Sequence, residues 1–261
     1  MKKSVASFVI ALSASASQAS PAFAQALAPA EVARPVEVAL SNVFLPATGY
    51  DDNDNVLALV DGLLPNGCYS LGHTETVAKP QGFALRQFAL RKVDGVCAPG
   101  QELPADVAAP VPFSHEISFG RLESGSYAIE FASREGGRKT RNFGVEKARV
   151  ASVDNLRYAA ITSVYVPDIL SASTEAGEFK LLLAGLLTSS CVELADEIKV
   201  ERVDDVIVVL PPTKTVFSGS CLPFTRSFAT EVAIAIPPAG RYMIHVRSLN
   251  GNAVSRLFTV R

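Results

Sequence analysis

The chain has 261 residues, of which 48% are hydrophobic and 19% charged, and its 24 basic and 26 acidic residues give a net charge of −2. This composition supports a folded core and excludes a charge-rich disordered chain. The mild negative charge argues against a nucleic-acid partner, since domains that bind nucleic acids are typically basic. The length allows one large domain or two modest ones.

The first 24 residues have the pattern of a secretory signal peptide. Lys2 and Lys3 provide a positive start, residues 5–12 are apolar, and residues 22–24 (Ala-Phe-Ala) fit an A-x-A cleavage site. The alternative is an unstructured tail rich in alanine and serine. No apolar run reaches about 18 residues, so we expect no membrane span. The pattern predicts an exported protein, periplasmic or secreted, with 22 basic and 26 acidic residues after cleavage and hence a net charge of −4.

Residues 25–36 are rich in alanine and proline and predict a flexible leader. Beyond them, short apolar and β-branched runs alternate with Gly, Pro, Asn and Asp, a pattern typical of strands joined by tight turns. The first set of predicted strands covers residues 37–45, 55–61, 68–77, 82–92, 113–120, 126–133 and 139–146. Residues 147–157 form a linker. The second set covers residues 158–166, 178–184, 191–203, 205–210, 228–236, 241–248 and 253–260.

The two sets of strands carry matching sequence. The pattern Gly-Leu-Leu-x3-Cys at residues 62–68 recurs at residues 185–191. Four further blocks match in the same order, namely 41–46 with 162–167, 56–60 with 179–183, 125–129 with 240–244, and 141–145 with 256–260. A chance likeness among apolar runs is the alternative, but five blocks in one order favour an internal repeat.

Four cysteines, an even number in an exported chain, favour disulfides. Sequence alone permits three pairings. The second cysteine keeps its place in each repeat, because Cys68 and Cys97 are 29 positions apart and Cys191 and Cys221 are 30 apart. Pairing within each repeat, Cys68–Cys97 and Cys191–Cys221, is therefore the simplest scheme, with pairing across the repeats as the alternative. Closing a loop of about 30 residues contributes roughly 3–4 kcal/mol in the chain-entropy model.

The later strands of each repeat alternate between apolar and polar residues, which predicts half-buried antiparallel strands. The residues expected to face inward are Tyr127, Ile129, Phe131, Tyr242, Ile244 and Val246. Those expected to face solvent are Met243, His245 and Arg247. The hairpins that follow have Gly136-Gly137 and Asn250-Gly251 at their turns, which suit a positive φ.

Tyr127 and Tyr242 each follow a glycine-containing corner, and this arrangement is similar to the tyrosine corner of immunoglobulin-like sandwiches. The alternative is an ordinary core tyrosine. With seven strands in about 110 residues and a cysteine pair in each repeat, residues 37–261 resemble bacterial exported proteins built from tandem immunoglobulin-like modules. The resemblance is one of fold, and the chain departs from antibody domains in having no Trp and a narrower cysteine spacing.

The resemblance implies an all-β protein of two tandem immunoglobulin-like antiparallel β-sandwiches after a signal peptide. The expected organisation is a signal peptide at 1–24, a leader at 25–36, the first repeat at 37–147 and the second repeat at 152–261. The disulfide of each repeat should tie a loop near its second cysteine to the start of a middle strand. A shared fold carries no function with it.

The densest polar segment is residues 51–55, where Asp51, Asp52 and Asp54 are candidate calcium ligands because Ca²⁺ prefers oxygen ligands. The alternative, which we favour, is a solvated turn rich in Asp and Asn. The corresponding segment of the second repeat, residues 173–177, lacks these acidic residues. We predict no other metal and no cofactor.

The three histidines have no metal-ligand spacing, and we expect all of them at the surface or rim; they are His73, His115 and His245. A group of basic residues is either a patch for an anionic polymer or, as we favour, a solvated charged face. Its members are Arg86, Arg91, Lys92, Arg134, Arg138, Lys139 and Arg141.

No nucleophile motif is present, and two disulfides would leave no thiolate. We therefore predict a non-catalytic exported protein that binds a macromolecule, either a protein or an envelope polymer. The loop before Gly62 and the loops at 97–112 and 211–221 are candidate recognition surfaces, because loops on a rigid scaffold commonly carry binding sites. The alternatives are a structural spacer or subunit of a surface assembly, and an unrecognised hydrolase.

Overall fold

The computed structural model describes residues 35–93, 95–148, 158–167, 177–216 and 219–261. The predicted signal peptide, residues 25–34 of the leader and residues 149–157 of the linker lie outside these ranges. We call residues 35–148 the first half and residues 158–261 the second half.

The first half is built almost entirely of strands. They are β1 (Pro35–Val38), β2 (Leu40–Phe44), β3 (Tyr50–Asp51), β4 (Asn55–Leu64), β5 (Tyr69–Lys79), β6 (Gly82–Arg91), β7 (Val111–Arg121), β8 (Gly125–Ala132) and β9 (Arg138–Glu146). Two helical turns, a 3-10 turn at Gly95–Cys97 and α1 (Ala105–Ala108), lie between β6 and β7. The predicted loop before Gly62 is wrong, because β4 continues through Gly62 and pairs with β2 and β7 on its two sides.

The second half follows the same order. Its strands are β10 (Ala160–Tyr165), β11 (Glu178–Leu187), β12 (Val192–Leu194), β13 (Lys199–Val203), β14 (Val206–Leu210), β15 (Thr213–Thr215), β16 (Arg226–Ala235), β17 (Gly240–Ser248) and β18 (Asn252–Val260). Two predicted strands are divided. The strand at 37–45 splits into β1 and β2, which join different sheets, and the strand at 191–203 splits into β12, paired with β15, and β13, paired with β14.

Each half contains two larger sheets. The first half has a six-stranded sheet, ordered β1-β6-β8-β9-β3 with β5 also on β6, and a three-stranded sheet, β2-β4-β7. The second half has a four-stranded sheet, β13-β14-β17-β18, a three-stranded sheet, β10-β11-β16, and the small β12-β15 pair. Among the described strands, every pairing stays within one half.

The sheets are not purely antiparallel, which corrects the predicted architecture. β6 runs parallel to β8, and β14 runs parallel to β17. In each half, the strand beside β8 or β17 is the second strand of an antiparallel pair, β5–β6 or β13–β14. In an immunoglobulin sandwich these sheets are antiparallel. The protein is thus all-β with sandwich-forming sheets, and the immunoglobulin-like label stays a prediction.

A separate apolar core lies between the two sheets of each half. In the first half Val43, Val56 and Val60 of the three-stranded sheet pack with Ile129 and Phe131 of the six-stranded sheet. In the second half the corresponding cluster includes Val164, Leu181, Leu183, Ile244 and Val246. The inward residues predicted from the alternation of β8 and β17 therefore lie in or against these cores.

Both tyrosine corners are present. The hydroxyl of Tyr127 donates a hydrogen bond to the carbonyl of Glu123 at 2.7 Å, and the hydroxyl of Tyr242 donates to the carbonyl of Pro238 at 2.9 Å. The offset is four residues in each case. The predicted hairpin turns also have positive φ values, 98° and 73° at Gly136 and Gly137. Asn250 and Gly251 have φ values of 65° and 68°.

Both predicted disulfides are formed, Cys68–Cys97 and Cys191–Cys221. Cys68 directly precedes β5 and Cys191 directly precedes β12, so each bridge ties a loop to the start of a strand, as predicted. The prediction of a middle strand is wrong, because among the described strands β5 pairs only with β6 and β12 only with β15. Since disulfides persist in oxidising compartments, the two bridges fit an extracytoplasmic environment.

The two halves pack against each other and form one compact unit over Ala33–Arg261. Phe44 and Leu59, on the outer face of the three-stranded sheet of the first half, contact Val206 and Met243 on the outer face of the four-stranded sheet. This contact corrects the prediction that Met243, His245 and Arg247 face solvent. All three are buried, because the first half covers the face on which they lie.

Candidate functional site

The acidic segment at residues 51–55 forms a tight turn at the contact between the halves. The side chain of Asp51 accepts a hydrogen bond from the Asn53 amide at 2.9 Å, and the side chain of Asp54 accepts one from the Asp51 amide at 2.7 Å. Asp54 also forms an ion pair with Arg247 of β17. Such bonds are typical of an Asx turn, as favoured from the sequence. The turn is not fully solvated as predicted, because Asp54 is buried at the contact between the halves.

The Asp52 carboxylate does not take part in this ion pair and instead contacts residues at the start of the predicted linker. Its carboxylate contacts the Lys147 ammonium at 2.6 Å and the Ala148 amide at 2.9 Å. The hydrogen bond from Lys147 holds the pKa of Asp52 below its usual value. Over the described ranges, no three or more His, Cys, Asp or Glu residues are grouped so as to hold a metal ion. The candidate calcium ligands are therefore engaged by protein cations and backbone amides.

Among the residues that the structure describes, three ion pairs cross the contact between the halves. Arg247 pairs with Asp54, as stated, and also donates to the carbonyl of Gly49 at 2.7 Å. Arg241 pairs with Asp61 of β4 at 2.7 Å. Asp205, before β14, accepts from Asn42 at 2.8 Å and pairs with Arg141 of β9.

Burial at this contact changes the acidity of several groups. It raises the pKa of Asp54 and of Asp61, while the neighbouring Arg247 and Arg241 act against the rise. Burial also raises the pKa of Tyr50, whose hydroxyl donates to the carbonyl of Leu57 at 3.0 Å. Perturbed acidity often marks a functional site. Here each perturbed group has a partner in the packing, so the shifts report the contact between the halves.

His245 lies at the centre of this contact. It is fully buried, its ring meets that of Tyr50 edge-on at 5.7 Å, and its Nδ1 lies 3.0 Å from the hydroxyl of Ser255. Burial, and next the charge of Arg247, lower the pKa of His245 to about 3. The ring is therefore neutral at physiological pH. The prediction of a surface histidine is wrong here because period-two alternation does not show what covers the second face.

The other two histidines occupy different positions in the first half. His73 is exposed and stacks on Phe88 with 4.6 Å between ring centres, as expected for a surface residue. His115 is half-buried, its Nε2 lies 2.9 Å from the hydroxyl of Thr74, and burial lowers its pKa. Thr74 in turn donates to the buried Gln87 at 2.6 Å. This network ties β5 to β6 and β7.

The predicted basic group is interleaved with acidic residues. Arg86 contacts Glu37 at 2.8 Å and Glu75 at 2.9 Å, and Lys139 contacts Glu135 at 2.7 Å. The other ion pairs of this group are Arg138–Glu130 and Arg141–Asp205. Three of the seven predicted cations, Arg86, Arg138 and Lys139, pair with exposed carboxylates, whereas Arg141 pairs at the contact between the halves. The arrangement favours a charged face over a site for an anionic polymer.

The loop that follows Cys221 presents two large apolar side chains to solvent. Leu222 is 58% exposed and Phe224 is 49% exposed. The disulfide holds one end of this loop against the buried Cys191. Exposed apolar groups on a fixed backbone are typical of recognition surfaces.

Hydrogen bonds hold the same loop in place. Leu222 and Ser190 exchange two of them, from the Leu222 amide to the serine hydroxyl at 2.9 Å and from the Ser190 amide to the Leu222 carbonyl at 3.1 Å. The Phe224 amide donates to the carbonyl of Leu222 at 2.9 Å. We call residues 219–225 the stapled loop. Because its backbone is already ordered, it loses little conformational freedom on binding.

A second apolar surface lies on the outer face of the three-stranded sheet of the second half. Tyr165 is 64% exposed and Leu182 is 41% exposed, and the two are directly paired across β10 and β11. Leu186 lies on the same face. We call this surface the exposed sheet face.

A groove of about 430 Å³ opens on the first half beside β8 and β9. Small or short side chains line most of it, together with two aromatic residues. The lining includes Ser126, Ala128, Asn142, Gly144, Tyr127 and Phe143. The groove shares no residue with the stapled loop or with the exposed sheet face.

Leu222 and Phe224 carry no sequence signal, because they fall between the last cysteine and the next predicted strand, where there is no periodicity. The exposed sheet face did carry a signal. Residues 181–187 form a nearly continuous apolar run, which is typical of a strand covered on both faces. The structure covers only one face of β11.

Comparison of the chain with protein-family models, with curated proteins and with solved structures found no match. Within the described ranges, no helix has the length and apolar character needed to cross a membrane.

Proposed function

We propose that the chain is a non-catalytic exported protein that binds another macromolecule, a protein or an envelope polymer, through the stapled loop. The observation that carries this proposal is the exposure of Leu222 and Phe224 on a backbone fixed by a disulfide and by Ser190. Interfaces obtain most of their binding energy from a few such anchors in a preorganised setting.

The same proposal includes export and a duplicated, immunoglobulin-like architecture. Export is supported by the signal pattern of residues 1–24 and by the two disulfides. Duplication is supported by the matching strand order of the halves, by the corner tyrosines Tyr127 and Tyr242, and by a register shift at the same place in β2–β4 and β10–β11. The loops that bear the second cysteines differ between the halves, which suits binding better than spacing.

The test compares the mature, oxidised chain with the double variant Leu222→Ser/Phe224→Ser as immobilised bait for an envelope fraction of the source organism. We expect the wild-type chain to retain a component in stoichiometric amount and the double variant to lose it by at least about tenfold, since two anchors are removed. The readouts are mass spectrometry for proteins and sugar analysis for polymers.

The matched control is Val77→Ser/Val203→Ser, which removes two exposed valines from edge strands outside the stapled loop. This control should retain the component as the wild type does. Retention of nothing above a blank matrix, or equal retention by the Leu222/Phe224 variant, would contradict the proposed function.

A second candidate function is that of a subunit in a surface assembly. The observation that favours it is the exposed sheet face, because exposed apolar patches on a soluble protein often mark contact sites for other chains.

A further inference from the structure

The contact between the halves provides a template for a second contact. Inside the chain, Phe44 and Leu59 of β2 and β4 pack on Val206 and Met243 of β14 and β17, with Leu257 of β18 alongside. The outer face of a three-stranded sheet is thus covered by the outer face of the larger sheet of the other half.

The exposed sheet face occupies the corresponding position on the second half. The register shift after Leu40 in β2 and after Ile161 in β10 aligns the two strands, so that Phe44 corresponds to Tyr165 and Leu59 to Leu182. Phe44 is 1% exposed and Leu59 7%, whereas Tyr165 and Leu182 are 64% and 41% exposed. The second half therefore presents apolar residues at the positions that the first half uses for packing, and no described part of the chain covers them.

The groove occupies the position that corresponds to the receiving surface. The corner tyrosines align β8 with β17 and β9 with β18, so that Ala128 corresponds to Met243 and Asn142 to Leu257. Smaller side chains at these positions leave the groove open. The exposed tyrosine and leucine are thus matched by a depression on the opposite face of the same molecule.

At one position, the charges of the contact inside the chain are absent from both surfaces. In the contact inside the chain, Asp61 is buried and paired with Arg241. By the same alignment, Asp61 corresponds to Ala184 and Arg241 to Ser126. Both members of the pair are therefore replaced by neutral residues, so packing these faces together would bury no unpaired charge at that point.

We propose that the chain associates head to tail with further copies of itself, with the exposed sheet face of one copy seated in the groove of the next. The two contacting surfaces are different, so the contact is heterologous and generates an open filament unless the rotation closes a ring. The stapled loop shares no residue with either surface, and this inference is independent of the function proposed for it.

The test is sedimentation velocity of the purified, oxidised mature chain from about 1 to about 100 µM, a range that brackets micromolar association. We expect the weight-average sedimentation coefficient of the wild type to rise with concentration. Leu182→Glu, on the exposed sheet face, and Ser126→Glu, in the groove, should each stay monomeric. Val77→Glu, at an exposed apolar position on the edge strand β5, should associate as the wild type does.

An equimolar mixture of the two monomeric variants separates head-to-tail association from other modes. Leu182→Glu keeps an intact groove and Ser126→Glu keeps an intact sheet face, so the mixture should form a species of two chains and no larger one. A monomeric wild type at every concentration, association of either variant alone, or a mixture that stays monomeric would overturn the proposal. Circular dichroism verifies folding, and Tyr165→Glu and Asn142→Glu replace any variant that unfolds.

Discussion

At the scale of single residues, Arg247 shows how the halves are held in place. Its guanidinium is buried, pairs with Asp54, donates to Gly49 and lies 5.3 Å above the ring of Tyr50. A charge removed from water is tolerated only when its partners replace the lost hydration. The side chain therefore fixes β17 against the turn at residues 51–54.

His245 makes stability depend on pH. Its pKa is depressed from 6.5 to about 3 in the folded chain, so between these values the unfolded chain binds a proton that the folded chain does not. The free energy of unfolding therefore falls by about 1.4 kcal/mol for each pH unit as the pH drops from 6.5 toward 3. Above pH 6.5 this contribution is fully retained. We expect His245→Gln to have a shallower decline in unfolding free energy between pH 6.5 and about 5, measured by urea unfolding.

Other groups at the contact titrate too, so the comparison with wild type isolates His245. His115, whose pKa is also depressed, adds to the decline in both chains, while the raised pKa of Asp54 and Asp61 acts in the opposite sense toward low pH. Above pH 6.5 the two profiles should run parallel. Profiles that stay parallel down to pH 5 would rule out a buried neutral ring at position 245.

At the scale of elements, the two corners tie the start of a strand to the chain before it. Each tyrosine hydroxyl bonds a carbonyl four residues upstream, but Tyr242 is buried whereas Tyr127 is half-buried. Removing a hydroxyl from a satisfied buried pair also leaves the carbonyl without its donor. The corner at β17 should therefore contribute more to the free energy of unfolding than the corner at β8.

We expect Tyr242→Phe to lower the free energy of unfolding by about 1.5 kcal/mol and Tyr127→Phe by about 1 kcal/mol or less. Thermal and urea unfolding of the oxidised chain measure both. Tyr165→Phe, on the exposed sheet face, is the matched control and should change stability by less than about 0.5 kcal/mol. Equal stability of all three variants and the wild type would show that the corner bonds contribute nothing.

Most strand positions could be read from the sequence to within three residues, as at 113–120 against Val111–Arg121, because turn residues bound each apolar run. The short strands β3 and β15 were not predicted, and β15 lies in the segment 211–221 that was predicted to be a loop. The parallel strand pairs could not be predicted from the sequence, because alternation shows which face of the sheet a residue occupies but not which strand lies beside it. The same limit explains Met243 and His245, whose outer face is covered by a part of the chain distant in sequence. Leu222 was missed because an irregular loop has no period.

At the scale of the whole molecule, the contact between the halves is an apolar patch bordered by ion pairs. Phe44, Leu59 and Met243 supply the apolar part, and Asp54–Arg247 and Asp61–Arg241 lie beside it. The proposed association of copies depends on this contact. It orients the stapled loop relative to the first half, and it is the template for the association of separate copies.

A double-mutant cycle across Asp54 and Arg247, with unfolding free energies from urea titration, tests this contact most directly. Asp54→Asn and Arg247→Met should each cost about 3 kcal/mol, because each leaves a buried charge unpaired, and the double variant should be more stable than the sum predicts by over about 1 kcal/mol. The exposed pair Lys214–Asp196 is the control, with an expected coupling below about 1 kcal/mol. Additive effects at Asp54 and Arg247 would contradict the packing of the two halves through these faces.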